Sequence, residues 1–273
     1  MDIVTAEHLR EGQQAVWSAG DWARFAPITQ PVADEVVEAV GVREGEDFLD
    51  VATGSGNAAF SAAERGARVS GLDFVSAQIA AARARFASAG LDAELVVGDA
   101  EELPFDDASF DRVASVFGVM FAPRHSVAAG ELVRVARPGA AIAVAAWTPE
   151  GMNGQMFATL GKHLPLPPGG FEPPAMWGEE EHVRELFSAP GLEVACEKRM
   201  ATVEFDSVER WLDHCEENLG PIVTAKAVLE PQGRWKVARA ELAALEDGFN
   251  EAEDGSMLAR AEYLLTVVSS GAT

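Results

Sequence analysis

The chain has 273 residues, of which 48% are apolar, and a formal net charge of −23 from 44 acidic and 21 basic residues. Nucleic acids and anionic membranes bind basic surfaces, so neither is expected as a partner. No apolar run approaches the roughly 20 residues of a membrane helix, and the first residues lack the pattern of a secretion signal. We therefore expect a cytoplasmic protein, monomeric or homodimeric. Its two cysteines, Cys196 and Cys215, have no metal-site spacing.

Strand and helix patterns alternate from about residue 33 onwards. Apolar residues at helical spacing, closed by glycine or proline, predict the helices, and short apolar runs predict the strands. The predicted elements are a helix at 31–40, a strand at 46–52, a helix at 57–65, a strand at 67–73, a helix at 76–89 capped by Ser76, strands at 93–97 and 110–117, a helix at 126–136 and a strand at 140–147. Such alternation indicates a parallel, doubly wound sheet.

The alternation breaks at 149–178, where proline and glycine cluster, and this length of loop is typical of a lid. Its apolar residues either line a pocket for an organic substrate or pack beneath a cap: Phe157, Leu160, Leu164, Phe171, Met176 and Trp177. A helix at 179–189, a strand at 192–205, helices within 207–250 and a final strand at 256–269 follow. The predicted fold is α/β, a mostly parallel seven-stranded sheet with a helical cap, 207–250, inserted before the last strand.

A glycine turn follows the first predicted strand, in segment 48–59. Glycines two residues apart, Gly54 and Gly56, allow a ligand to approach the backbone closely. Asp50 ends the strand four residues before Gly54, so its carboxylate is expected to face the cleft at the carboxyl end of the sheet. A carboxylate there would repel a pyrophosphate but would hold a cation. S-adenosylmethionine (SAM) carries an ammonium and a sulfonium and no phosphate.

The run 50–56 resembles the D-x-x-x-G-x-G motif of class I SAM-dependent methyltransferases. Residues 98–111 resemble the family's G-D-A-x-x-L-P-F and S-F-D blocks, and 131–139 resembles its E-x-x-R-V-L-R-P-G-G helix and turn, with Ala136 and Ala140 as small departures. The resemblance covers roughly 15–148 and is closest to the small-molecule branch of ubiquinone and menaquinone biosynthesis. It implies a SAM-binding core at 31–148 and an N-terminal helical segment, 1–30, over the cofactor.

Carboxylates after the second and third strands complete the expected cofactor site. Asp73 follows the glycine turn by about 20 residues, a spacing at which an acid binds ribose hydroxyls, and Phe74 could stack on adenine. Asp99 and the Ala100 amide are expected at the adenine edge. By resemblance, segment 115–121 lines the methionine end of SAM. The other expected contacts are Trp22, Ala52, Ser55, Gln78, Glu101, Ser115, Val116 and Met120.

Methyl transfer needs a protein base only when the acceptor must lose a proton. The candidates are His125, His163, His182 and His214, with His163 in the predicted lid and His214 in the predicted cap as the leading two. The sequence does not choose between them. No metal site is expected, because the ligand pattern of catechol methylation is missing from the sequence after strands four and five.

The sequence thus predicts SAM-dependent methyl transfer to a small, largely apolar acceptor at oxygen, nitrogen or carbon. Two alternatives remain open. A nicotinamide-dependent oxidoreductase has a related fold, but Asp50 disfavours it. A non-catalytic SAM-binding protein would have the same motifs, because a fold-level resemblance does not by itself establish activity.

Overall fold

The computed structural model describes residues 6–165 and 172–270 of the chain. The ten α-helices in these ranges are α1 (Ala6–Ser18), α2 (Ala26–Ala39), α3 (Asn57–Glu64), α4 (Ser76–Ala89), α5 (His125–Val135), α6 (Met152–His163), α7 (Glu180–Leu186), α8 (Val208–Asn218), α9 (Gly220–Leu229) and α10 (Trp235–Phe249). The strands are β1 (Asp47–Val51), β2 (Arg68–Asp73), β3 (Glu94–Val97), β4 (Phe110–Val116), β5 (Ala136–Trp147), β6 (Leu192–Phe205) and β7 (Met257–Ser270). No helix of the described residues is both long and apolar enough to cross a membrane.

The seven strands form one sheet in the order β3-β2-β1-β4-β5-β7-β6. Strands β1 to β5 pair in parallel, and β7 pairs antiparallel with both β5 and β6. The predicted α/β class and mostly parallel seven-stranded sheet are confirmed. The chain order reverses between β1 and β4, and ligands of open α/β sheets bind at the carboxyl ends of strands at such a point.

Both faces of the sheet are buried. Along β5, Ile142 and Val144 belong to one apolar cluster, whereas Ala143 and Ala145 belong to the other. Consecutive side chains of a strand point to opposite faces, so the two clusters lie on the two sides of the sheet. The core on both sides fixes the positions of the turns that follow β1, β2 and β4.

Two predicted elements begin four or five residues earlier in the structure, and one predicted side-chain cap is not formed. The helix predicted at 31–40 starts earlier, at Ala26, and contains Pro31 in its interior. Helix α4 is preceded by Val75, and Ser76 is its first residue rather than a side-chain cap. Strand β5 begins at Ala136, before Pro138, with a register shift against β4 between Phe110 and Arg112.

The segment 149–178, predicted as a loop, contains helix α6 and a 3-10 helix, Pro174–Gly178. Met152, Met156 and Leu160 recur every four residues and are buried on one side of α6. That spacing is the helical signal. The neighbouring prolines and glycines obscured it in the sequence. The segment's predicted action as a lid stays a prediction, and residues 166–171 lie outside the described ranges.

Candidate active site

The turn after β1 is built on left-handed backbone. Ala52, Gly54 and Gly56 have φ values of 56°, 55° and 87°. A Cβ added at Gly54 would meet nothing within 4 Å, whereas one at Gly56 would touch Ala82 and Phe86 of α4 at 3.4 Å. Gly54 therefore leaves open space for a ligand. Gly56 instead permits close packing against α4, a role different from the ligand approach expected for it.

Asp50, in β1, lies directly beneath this turn and is 2% exposed. One of its oxygens, Oδ2, accepts hydrogen bonds from Thr53 Oγ1 at 2.7 Å and from the Ala59 amide at 2.9 Å. Burial raises the pKa of Asp50 to about 7, and these two hydrogen bonds oppose that shift. A cation bound beside the group would favour its charged form.

Asp73, the last residue of β2, holds the neighbouring loops together. Its Oδ2 accepts from the Gly54 amide and its Oδ1 from the Val75 amide, both at 2.9 Å. Burial raises the pKa of this carboxyl as well. On the outer side, Gln14 of α1 donates a hydrogen bond to the Phe74 carbonyl at 3.0 Å. Helix α1 thus contacts the loop that contains Phe74.

The carboxyl end of β4 closely approaches that of β1. Phe117 has a left-handed φ of 56°, and its ring stacks on Trp147 with centroids 3.6 Å apart and planes 5° apart. A Cβ at Gly118 would lie 2.5 Å from the Ala52 Cβ, so only glycine fits there. Non-glycine residues with positive φ are strained, and such residues cluster at functional sites.

Aromatic side chains from the N-terminal segment cover the strand ends. Trp17 lies 4.1 Å from the Phe121 ring and 5.0 Å from Trp22, measured between centroids. The backbone of the N-terminal segment packs directly against the backbone of the cap. A Cβ added at Gly20 would lie only 2.4 Å from the Asn218 carbonyl oxygen. These contacts hold aromatic rings over the strand ends.

A cavity of about 190 Å³ lies between the strand ends and this cover. Its wall includes most of the predicted contacts: Trp22, Asp50, Ala52, Gly54, Ser55, Asp73, Phe74, Gln78 and Val116. Sequence reasoning did not single out several further wall residues, contributed by α2 and the residue before it, by α6 and by the cap: Phe25, Ile28, Asn153, Met156, Trp211 and Leu219. Their sequence separation conceals that they meet. Of the apolar residues in 149–178 that were expected either to line a pocket or to pack beneath a cap, Phe157 is in the wall, and Phe171 lies outside the described residues.

Residues 49–144 match a family described as a methyltransferase domain. The chain is also 39% identical over 222 residues to an uncharacterised protein of Mycobacterium tuberculosis, a match that covers 80% of this chain and 81% of that protein. The chain belongs to the class I SAM-dependent methyltransferases. A candidate methyltransferase of Bacillus halodurans has the same fold, with a TM-score of 0.60 at 20% identity over 88% of this chain and 99% of that one.

Part of this methyltransferase is also similar to a demethylmenaquinone methyltransferase of Thermus thermophilus. The two are 40% identical over 104 residues, which is 37% of this chain and 47% of that protein. The resemblance to the quinone-biosynthesis branch is thereby confirmed.

Six predicted cofactor contacts of the methyltransferase lie outside the cavity wall that the described residues form: Gly56, Asp99, Ala100, Glu101, Ser115 and Met120. Glu101 and Ser115 are examples with structural partners. Buried Glu101 pairs with the Arg124 guanidinium at 2.6 Å. The Ser115 hydroxyl donates to the Val51 carbonyl at 2.7 Å and accepts from the Val119 amide at 3.0 Å, so it joins β1 to the segment after β4.

None of the four candidate histidine bases lies in the wall formed by the described residues. His163 Nε2 lies 2.9 Å from Glu241 Oε2 on α10. The His214 ring packs 4.8 Å from Phe25, and burial lowers its pKa. His125 and His182 face each other on α5 and α7, away from the wall. The predicted use of His163 or His214 as a base stays a prediction.

Proposed function

We propose that this methyltransferase binds SAM above Asp50 and Asp73 and transfers its methyl group to a small, largely apolar acceptor. The observation that supports this most is the cavity itself, whose wall combines two buried carboxylates with several aromatic rings. When bound, SAM supplies an electrophilic methyl group on a sulfonium. The acceptor donates the electron pair to that carbon as the carbon–sulfur bond breaks.

The protein's part in this reaction is to bind, orient and exclude water. Asp50 would hold the ammonium group, Asp73 the ribose hydroxyls and Phe74 a face of adenine, with Asp99, Ala100 and Glu101 proposed at the adenine edge. Open space beside Gly54 gives room for the ligand. The ring faces of the aromatic wall residues, Phe117 and Trp147 among them, attract a cation when water is excluded from the site. Much of the acceleration of such a displacement comes from aligning the acceptor with the methyl carbon and from excluding water.

The acceptor is proposed to be a molecule that needs no strong protein base. Asp50 and Asp73 are the titratable side chains among the described wall residues, and both belong to the proposed cofactor end. Asn153 and Thr29 supply uncharged polar groups to the same wall. An amine, or an oxygen or carbon acid already ionised in solution, fits these surroundings. The net charge of −23 supports a small acceptor rather than a nucleic acid or membrane.

Calorimetric titration tests the cofactor first. SAM and S-adenosylhomocysteine are each expected to bind one per chain, and NADH is expected not to bind. Release of S-adenosylhomocysteine in the presence of small aromatic amines or phenols then tests catalysis. Binding of NADH alone would identify an oxidoreductase instead. SAM binding without turnover of any acceptor class would favour a non-catalytic SAM-binding protein.

A further inference from the structure

Three metal-binding side chains meet outside the cavity. His125 is the first residue of α5, His182 is the third of α7, and Glu172 lies just before the 3-10 helix. Their ligand atoms all lie within 4.8 Å of one another, and His125 Nδ1 is 3.0 Å from His182 Nε2. We propose that His125, His182 and Glu172 bind a zinc ion that joins α5, α7 and the segment before the 3-10 helix.

The backbone around the cluster fixes its geometry. The Glu172 amide donates to the Pro123 carbonyl at 3.2 Å, and Glu172 Oε2 accepts from the His125 amide at 2.7 Å. The His125 ring is fully buried, with the indole of Trp177 at 5.7 Å between centroids. Two of the three ligands are thus held in place before an ion binds, which reduces the entropy lost on binding.

The donor set suits zinc. Two imidazole nitrogens and one carboxylate oxygen, with water in the fourth position, form a tetrahedral site that zinc adopts readily. With bonds of about 2.0–2.1 Å, tetrahedral ligand atoms lie roughly 3.4 Å apart, so the 3.0 Å pair needs to open by only a few tenths of an ångström.

Charge around the cluster is compatible with a cation. The guanidinium of neighbouring Arg124 is paired with buried Glu101 at 2.6 Å. Glu172 adds a negative charge beside the amino end of α5, where the helix dipole favours it.

The ion's role in this arrangement is structural. His125 follows the 3-10 helix Val119–Phe121, which carries the wall residue Phe121, whereas the three ligands lie outside the described wall. A bound ion would link α5 to α7 and thereby stabilise the folded chain. It would not contact SAM or the acceptor.

Zinc titration of chelator-treated, tag-free protein tests the proposal. We expect calorimetry to show one ion per chain and a melting temperature that rises with zinc. His182→Ala and Glu172→Gln should each weaken binding at least about tenfold, because loss even of an outer partner of a metal ligand costs that much. These variants are preferred to His125→Ala, which would alter the core.

His163→Ala is the matched control, since His163 pairs with Glu241 and not with the cluster. It should bind zinc as the parent does. Absence of saturable zinc binding, or equal affinity in His182→Ala, would overturn the proposal. SAM binding measured on the same samples keeps the two proposals separate, because SAM affinity should be the same in His182→Ala.

Discussion

The two carboxylates in the cavity wall have different chemical environments although they lie near the ends of adjacent strands. Asp50 uses one oxygen for both of its hydrogen bonds, and its pKa is raised to about 7. Asp73 uses both oxygens to hold two backbone amides. We therefore expect a bound cation to change the charge of Asp50. Asp73 instead holds together the loops that follow β1 and β2.

Asp50 should make the ligand-free protein less stable as the pH rises from about 4 to about 7. The ordinary pKa of an aspartate is 3.8, and that of Asp50 is about 7 in the folded protein, so the folded protein keeps a proton that the unfolded chain has released. Asp50→Asn preserves an acceptor for Thr53 and Ala59 and removes the titration. Denaturant unfolding gives the free energy of unfolding at about pH 4 and about pH 7. Between these values it should fall more in the parent than in Asp50→Asn, and the difference should be at most about 4 kcal/mol. An equal fall in the parent and the variant would contradict the raised pKa of Asp50.

Asp73→Ala should weaken SAM binding by about 2 kcal/mol, roughly thirtyfold, because a charged hydrogen-bond partner of the ribose is lost. Calorimetry at one pH measures this. Asp92→Ala, an exposed acid between α4 and β3, is the control for the change in net charge. Circular dichroism must show that the variant is folded, since Gly54 and Val75 also lose their acceptor. SAM affinity equal to that of Asp92→Ala would reject the ribose role.

At the level of elements, the strand ends that carry Asp50 and Asp73 could be predicted because strand–helix alternation and glycine turns depend on local sequence. Helix α6 was missed because Gly154, Gly161 and the flanking prolines conceal its apolar spacing. The wall residues Trp211 and Leu219 could not be predicted, since their meeting with Phe25 depends on how the cap packs. The close approach of Gly118 to Ala52 depends equally on the pairing of β1 with β4.

Gly118→Ala should destabilise the protein by about 1–3 kcal/mol and weaken SAM binding, because the new Cβ would collide with Ala52. The collision would push the end of β4 away from the glycine turn. Thermal melting and SAM titration report the two effects. Gly130→Ala, within α5 and with nothing within 4 Å of its added Cβ, should leave both unchanged or raise the stability. If Gly118→Ala and Gly130→Ala had the same stability and the same SAM affinity, the contact between Gly118 and Ala52 would not be tight.

For the whole molecule, the charge of −23 makes stability depend on ionic strength. Like charges repel across the compact surface, and salt screens that repulsion. The melting temperature should therefore rise between about 10 mM and about 0.5 M sodium chloride. Sodium fluoride at matched ionic strength is the control for specific chloride binding. A melting temperature that falls with both salts would show that attractive ion pairs, such as Arg137 with Asp111, outweigh the repulsion.

Strand β7, the last in chain order, lies between β5 and β6 in the sheet. During synthesis the ribosome must therefore release residues 257–270 before the sheet can become continuous. Until then β5 has an unpaired edge, and β6 lacks the partner that pairs along its whole length from Leu192 to Phe205. Such edges recruit strands from other chains. Nascent chains that stall before residue 257 are thus expected to aggregate or to need a chaperone, whereas in finished chains β7 covers the edge of β5 and one edge of β6.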